Sequence, residues 1–232
     1  LKTTKYKDGS EIAPENVNIT SGYNWYHLNE GASVVYDTPS GNAETYSLDT
    51  FNTYGRLYNW HAVDDIRGIC MEGWHVPTDT EWTILSDYLG SNVGGKMKEA
   101  GNEHWDSPNT GATNESGFTA LPSGTRHKSI NGELGAYLSM GYASSMWSSS
   151  KQDSDNIWKR SLYSDYSILE KATTDPNNGL SVRCISDVAI EIDCEGVPGG
   201  SATEDNCGTC DSDSSNDCTQ DCNGDWGGSA VE

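Results

Sequence analysis

Cys70-Met71-Glu72-Gly73-Trp74-His75-Val76-Pro77-Thr78-Asp79-Thr80-Glu81-Trp82 is the most informative stretch of the chain. Thr78-Asp79-Thr80-Glu81 is a capping box: the Thr78 hydroxyl serves main-chain N–H groups while Glu81 reaches back to the start of the turn. Trp82, Leu85 and Leu89 follow at i, i+3 and i+7, which is one apolar stripe of a helix. Gly90 can end it. The pattern predicts a packing helix from Thr78 to Gly90, and a shorter helix is expected near Gly95–Ala100. Further on, Ile157–Tyr163 and Leu180–Ile185 read as short strands split by Gly, Asn and Ser loops. The fold class is α+β, with one or two helices, short strands and long ordered loops.

Outward from that stretch, composition narrows the function classes. The chain has 232 residues, 14 basic and 35 acidic, for a net charge of −21. That balance repels phosphate backbones, so nucleic acid is excluded as a partner. No run approaches the 18 or so apolar residues of a membrane span, so no membrane insertion is expected of this segment. Phe is scarce (2), but Trp (8) and Tyr (12) are plentiful. Large amphipathic rings can build a core in a chain that is only 34% hydrophobic.

Charge and cysteine divide the chain. Residues 187–232 hold 12 of the 35 acidic residues and no Lys or Arg. Cys70 and Cys184 lie in the first part, whereas Cys194, Cys207, Cys210, Cys218 and Cys222 crowd the end. We therefore expect a globular domain over 1–187 and a cysteine-rich acidic tail over 188–232. Cys207-Gly208-Thr209-Cys210 is a C-x-x-C, but the tail has no His to complete a zinc site. Disulfides in an oxidising, extracellular compartment are the better reading. The chain opens at Leu1 rather than Met, so an export signal is expected upstream.

The tail repeats. Asp193-Cys194-Glu195-Gly196 with Gly199–Glu204 recurs as Asp221-Cys222-Asn223-Gly224 with Gly227–Glu232, a period of 28 residues. One complete unit holds four cysteines, and Cys222 opens a partial second unit. Units this small need cross-links or neighbours. Asp211, Asp213, Asn216, Asp217 and Asp221 offer oxygens to a hard cation such as Ca²⁺. The spacing starts like an EF-hand loop but lacks its Gly and its closing Glu. Two readings stand open: a calcium-stiffened stalk, or a solvated acidic linker held by disulfides. The unit resembles tandem repeats of large bacterial surface proteins and, loosely, the calcium-loaded type 3 repeats of thrombospondins.

The globular part carries further ordered motifs. They are Tyr54-Gly55-Arg56-Leu57-Tyr58-Asn59-Trp60, the stretch from Cys70, Gly94-Gly95-Lys96-Met97-Lys98-Glu99 and His104-Trp105. Asn109–Phe118, Ala120–Gly124, Trp147-Ser148-Ser149-Ser150 and Gly179-Leu180-Ser181-Val182-Arg183-Cys184 complete the set. Together they resemble the Fibrobacter succinogenes major paralogous domain, a secreted bacterial family distantly related to the C-type lectin-like and formylglycine-generating-enzyme folds. The resemblance covers about 1–187. It implies a C-type lectin-like fold and a Cys70–Cys184 disulfide. It also implies a further strand ahead of Leu1 that this sequence does not show, which leaves three readings: a cut chain, an incomplete sequence, or a strand donated by a neighbouring subunit.

The residues do not suggest an enzyme. Formylglycine-generating enzymes depend on a redox-active cysteine pair that the domain does not hold. The histidines (His27, His61, His75, His104, His127) show no H-x-H or H-E-x-x-H spacing, and Ser148–Ser150 has no G-x-S-x-G context. The Glu-Pro-Asn, Gln-Pro-Asp and Trp-Asn-Asp sugar motifs of calcium-dependent lectins are absent. Glycan can still be gripped by aromatic faces beside polar groups. Trp147, Trp158, Tyr163 and Tyr166, with Asp153, Asp155 and Asn156, are the candidates, each with core packing or loop bonding as the alternative role. The expected function is non-catalytic adhesion or assembly at a cell surface, as a filament or stalk subunit. The expected partners are other copies, other surface proteins or glycans. A carbohydrate-binding module of a polysaccharide-degrading system is the runner-up.

Overall fold

The structure is a computed structural model that describes residues 1–14, 32–34, 48–127, 136–188, 193–197 and 200–229. The chain divides into two units, Leu1–Ser186 and Asp187–Glu232.

Unit one begins with β1 (Ala13–Pro14), β2 (Ala32–Val34), α1 (Leu48–Tyr54), β3 (Leu57–Tyr58) and α2 (Trp60–Val63). Then come β4 (Trp74–His75), α3 (Asp79–Leu89), α4 (Val93–Met97), β5 (Ser123–Arg126) and β6 (Tyr137–Met140). It ends with β7 (Ala143–Lys151), β8 (Ile157–Tyr163), β9 (Glu170–Thr174) and β10 (Ile185–Ser186). The main sheet is mixed, with order β6-β5-β7-β8-β9. All its pairings are antiparallel except β5 with β7. The fold is α+β, with short helices, and α3 is the longest of those described.

The capping box forms as the sequence predicts. Thr78 Oγ1 accepts from the Glu81 N–H at 3.2 Å, and Glu81 Oε2 accepts from the Thr78 N–H at 2.8 Å. The shorter helix expected near Gly95–Ala100 is α4, a few residues earlier, and the short helices α1 and α2 exceed the one or two expected. The predicted strand at Ile157–Tyr163 is β8. Leu180–Ile185 is not a strand. It touches Tyr58 and Met146 through single bridges and joins a ladder only at Ile185–Ser186. Leu180 and Val182 are buried, so this apolar run lines the core without a continuous partner edge.

Side chains alternate across a strand, so β7 sends Met146 and Trp147 to opposite faces. Two cores result. Trp147 packs with Tyr58, Trp60, Val76, Ile157, Leu180 and Val182. Met146 packs with Trp82, Val93, Met97, Trp105 and Leu162. The indoles carry much of the apolar area and also stitch the layers. Trp147 Nε1 donates to the Tyr58 carbonyl (2.6 Å), Trp60 Nε1 to Ser148 (3.1 Å), Trp82 Nε1 to Trp147 (3.3 Å) and Trp105 Nε1 to Ala120 (2.9 Å). Each buried N–H is thereby satisfied, which is how a chain poor in Phe makes a specific interior. Cys70 and Cys184 form a disulfide beside the first core.

Among its described residues, unit two contains β11 (Thr203–Glu204) and β12 (Cys210–Asp211), an antiparallel pair, and little else that is regular. Its disulfides are Cys194–Cys210 and Cys207–Cys218. Cys222, which opens the partial second unit, is exposed and makes no disulfide within the chain. The 28-residue period has an inner division. Asp193, Asp205 and Asp221 each accept, through Oδ1, the N–H groups two and four residues ahead. Each is followed three residues later by a glycine at φ 81, 82 or 85° (Gly196, Gly208 and Gly224). That left-handed turn is open to glycine at no steric cost. One small aspartate-centred loop is thus used three times.

Candidate functional site

The antiparallel ladder of β7 and β8 sets Ala143 opposite Tyr163. Tyr142 lies just outside that last rung, and its ring centroid is 5.7 Å from that of Tyr163. The chain then turns, with the Ser164 N–H donating to the Tyr142 carbonyl (2.9 Å). Tyr166 meets Tyr163 edge to face at 6.2 Å. Two carboxylates hold the phenols: Tyr142 donates to Asp165 Oδ2 (3.1 Å) and Tyr163 to Glu170 Oε2 (2.7 Å). Burial, and then the bond to Glu170, pushes the Tyr163 hydroxyl up to about 12. The bond to Asp165 raises that of Tyr142. Tyr166 is 54% exposed.

A post buried beneath them positions the turn. Lys98 has no exposed surface, and its Nζ donates to the carbonyls of Thr110 (3.0 Å), Tyr163 (2.9 Å) and Tyr166 (2.9 Å). Burial lowers its ammonium to about 8, with Asp165 pulling the other way. The glycines ahead of it serve the same seating. A Cβ on Gly94 would overlap the Ile168 carbonyl, and one on Gly95 would overlap that of Gly111. The Gly95 N–H donates to the Ser167 carbonyl (3.2 Å). The Gly94–Lys98 motif therefore works as a cradle for the tyrosine turn.

Chemically this is a binding surface. Aromatic rings offer faces to C–H groups, and each carboxylate keeps a second oxygen to accept from a ligand hydroxyl.

The predicted ligand residues do not converge as one set. Trp147 is 0% exposed and belongs to the core, so it offers no contact surface; its indole N–H is spent on Tyr58. Trp158 is partly buried, with the Lys171 ammonium 4.3 Å above its ring. Asp153, Asp155 and Asn156 form the β7–β8 turn, where Asp153 Oδ1 accepts from the main-chain N–H groups of both Asp155 and Asn156. That turn lies at the opposite end of β8 from Tyr163 and Tyr166. Of the predicted rings, only these two tyrosines stand together. Tyr142, Asp165 and Glu170 were missed. Tyr142 is 21 positions before Tyr163, and only the strand pairing joins them.

The tail carboxylates are largely engaged by their own loops. Asp211 accepts from the Asp213 N–H and from Asn216 Nδ2, while Asp213 accepts from the Ser215 N–H and hydroxyl. Asp221 serves Asn223 and Asp225. Among the described residues, the group of His, Cys, Asp and Glu able to hold a metal ion is Glu99, Glu103 and His104, whose ligand atoms lie within 4.8 Å of one another. No helix among the described residues is long and apolar enough to cross a membrane.

Among known families, the Fibrobacter succinogenes major domain matches residues 1–186. No curated protein and no solved structure matches the chain. The family and the three disulfides fit a secreted bacterial surface protein. Over residues 1–186, about four-fifths of its length, the chain belongs to the Fibrobacter succinogenes major domain family.

Proposed function

We propose that the chain is a non-catalytic adhesion domain of an extracellular surface protein, C-type lectin-like in fold, that grips a hydroxyl-rich glycan at Tyr142, Tyr163 and Tyr166. The observation that carries this reading is the cluster itself: three rings with neighbouring centroids 5.7 and 6.2 Å apart, two of them fixed by carboxylates. Sugars present C–H patches for stacking and hydroxyls for carboxylate acceptors, and pre-set rings lose little freedom on binding. The Cys-rich unit acts as a spacer braced by two disulfides, in which calcium adds stiffness. The test is a glycan array probed with the full chain and with Tyr166→Ala. Binding by the first and not the second supports the reading; equal signals refute it.

Assembly between copies is a second reading with its own observation. Ile84 and Tyr88 lie one turn apart on α3 and are 62% and 81% exposed, an apolar face suited to a protein partner. Mass measurement in solution tests it, with Tyr88→Glu expected to shift any oligomer to monomer.

A further inference from the structure

The loop that follows α4 holds a group of side chains the glycan reading does not use. His104 Nδ1 lies 2.9 and 2.8 Å from the two carboxylate oxygens of Glu99. Glu103 brings a third ligand atom within 4.8 Å of both. Among the described residues no Lys or Arg pairs with Glu99 or Glu103, so the negative charge meets only the imidazole. We propose that Glu99, Glu103 and His104 bind one divalent transition-metal ion of the zinc class.

The spacing suits such an ion. Zinc bonds to imidazole nitrogen and carboxylate oxygen are about 2.0–2.2 Å and meet near the tetrahedral angle, so two ligand atoms sit roughly 3.4 Å apart. Glu99 and His104 are in hydrogen-bond contact and need part by only about half an ångström to reach that separation, with the bridging proton released. The donor set, one imidazole nitrogen and two carboxylates, selects a borderline metal over Ca²⁺, which takes six to eight oxygens. Three protein ligands leave a further position open to water or to an outside donor.

The loop is held before any ion arrives. The Glu99 N–H donates to the Ala120 carbonyl (3.1 Å). Trp105 is buried, and Tyr54 meets the His104 ring edge to face at 5.8 Å. The Asn109 amide sits within the same loop, with Nδ2 donating to the carbonyls of Glu99 and Gly101. Asn109 is 5% exposed, yet its Oδ1 has no hydrogen-bond partner. A buried amide oxygen without a donor is rare in folded proteins. The Asn109 amide N–H groups brace the main chain that carries Glu99, so the ligand loop is tied down from within.

The test is calorimetric titration of the chelator-stripped full chain with Zn²⁺ in excess Ca²⁺, with Cys222 alkylated because an exposed thiol can bind zinc by itself. One ion per chain is expected, with proton release, because ligands shed protons as metal binds. His104→Gln and Glu103→Gln should each weaken binding at least ~10-fold, and zinc should shift the His104 imidazole NMR signals. Glu103 is exposed, so Glu103→Gln decides the matter even if the His104 variant fails to fold. The proposal is overturned if no zinc binds, or if both variants bind it as tightly as the parent chain.

Discussion

Replacing Lys98 with methionine removes the post under the tyrosine turn while keeping most of its volume. The three carbonyls it serves, of Thr110, Tyr163 and Tyr166, then lose a charged donor in a buried place. An unsatisfied buried acceptor costs about 1–3 kcal/mol. Removing the ammonium also relieves its own desolvation, so the low end applies, about 1 kcal/mol for each carbonyl and about 3 kcal/mol in all. For a unit of this size each kcal/mol lowers Tm by about 2–4 °C, so a fall of roughly 6–12 °C is expected in thermal unfolding. The pH dependence follows from the depressed pKa. The unfolded amine titrates near 10.5 and the folded one near 8. Between those values the unfolded state holds more protons, so this group makes stability rise with pH. Its contribution is complete above 10.5 and is lost as pH falls through about 8. The gap between parent and Lys98→Met should therefore widen from pH 8 towards 10. A loss under about 1 kcal/mol, or a gap that does not change with pH, would refute the role given to Lys98.

Other perturbations probe separate parts of the structure. Gly95→Ala should destabilise by about 2 kcal/mol in denaturant unfolding, because overlap with the Gly111 carbonyl outweighs the ~1 kcal/mol gain in helix propensity; a gain in stability would contradict that packing. The double variant Cys70→Ala/Cys184→Ala opens a loop of 114 residues' separation and should cost about 4–5 kcal/mol on the loop-entropy estimate. A midpoint change worth less than about 2 kcal/mol would show that the unfolded chain is already constrained. If calcium occupies the tail, Ca²⁺ should slow proteolysis between residues 193 and 229 relative to EDTA, since an ion bound only by the ordered form stabilises it. Equal rates would leave a plain disulfide-braced spacer.

Local chemistry was readable from sequence, and contacts across distance were not. The capping box at Thr78 and Glu81 spans four residues and formed as read. β8 also formed, because Ile157–Tyr163 has its own strand-like composition. Trp147 was open to both roles because an indole reads alike in a core or on a surface; its bond to Tyr58, 89 residues away, shows the core role. Leu180–Ile185 has the composition of a strand but meets Tyr58 and Met146 one bridge at a time. The tail's inner loop was available in principle as Asp-x-x-Gly at 193, 205 and 221, and the longer 28-residue period hid it. The role of Lys98 had no local signal, since two of its three acceptors lie 65 and 68 residues further on.

The most direct test is quantitative binding of the best glycan from the array to the full chain and to Tyr166→Ala. Loss of one stacking ring worth about 1–1.5 kcal/mol should weaken Kd roughly tenfold, with unfolding of the variant unchanged because Tyr166 is half exposed. Failure of the chain to bind any glycan, or an unchanged Kd in the variant, would contradict the assignment of the tyrosine cluster as the binding surface.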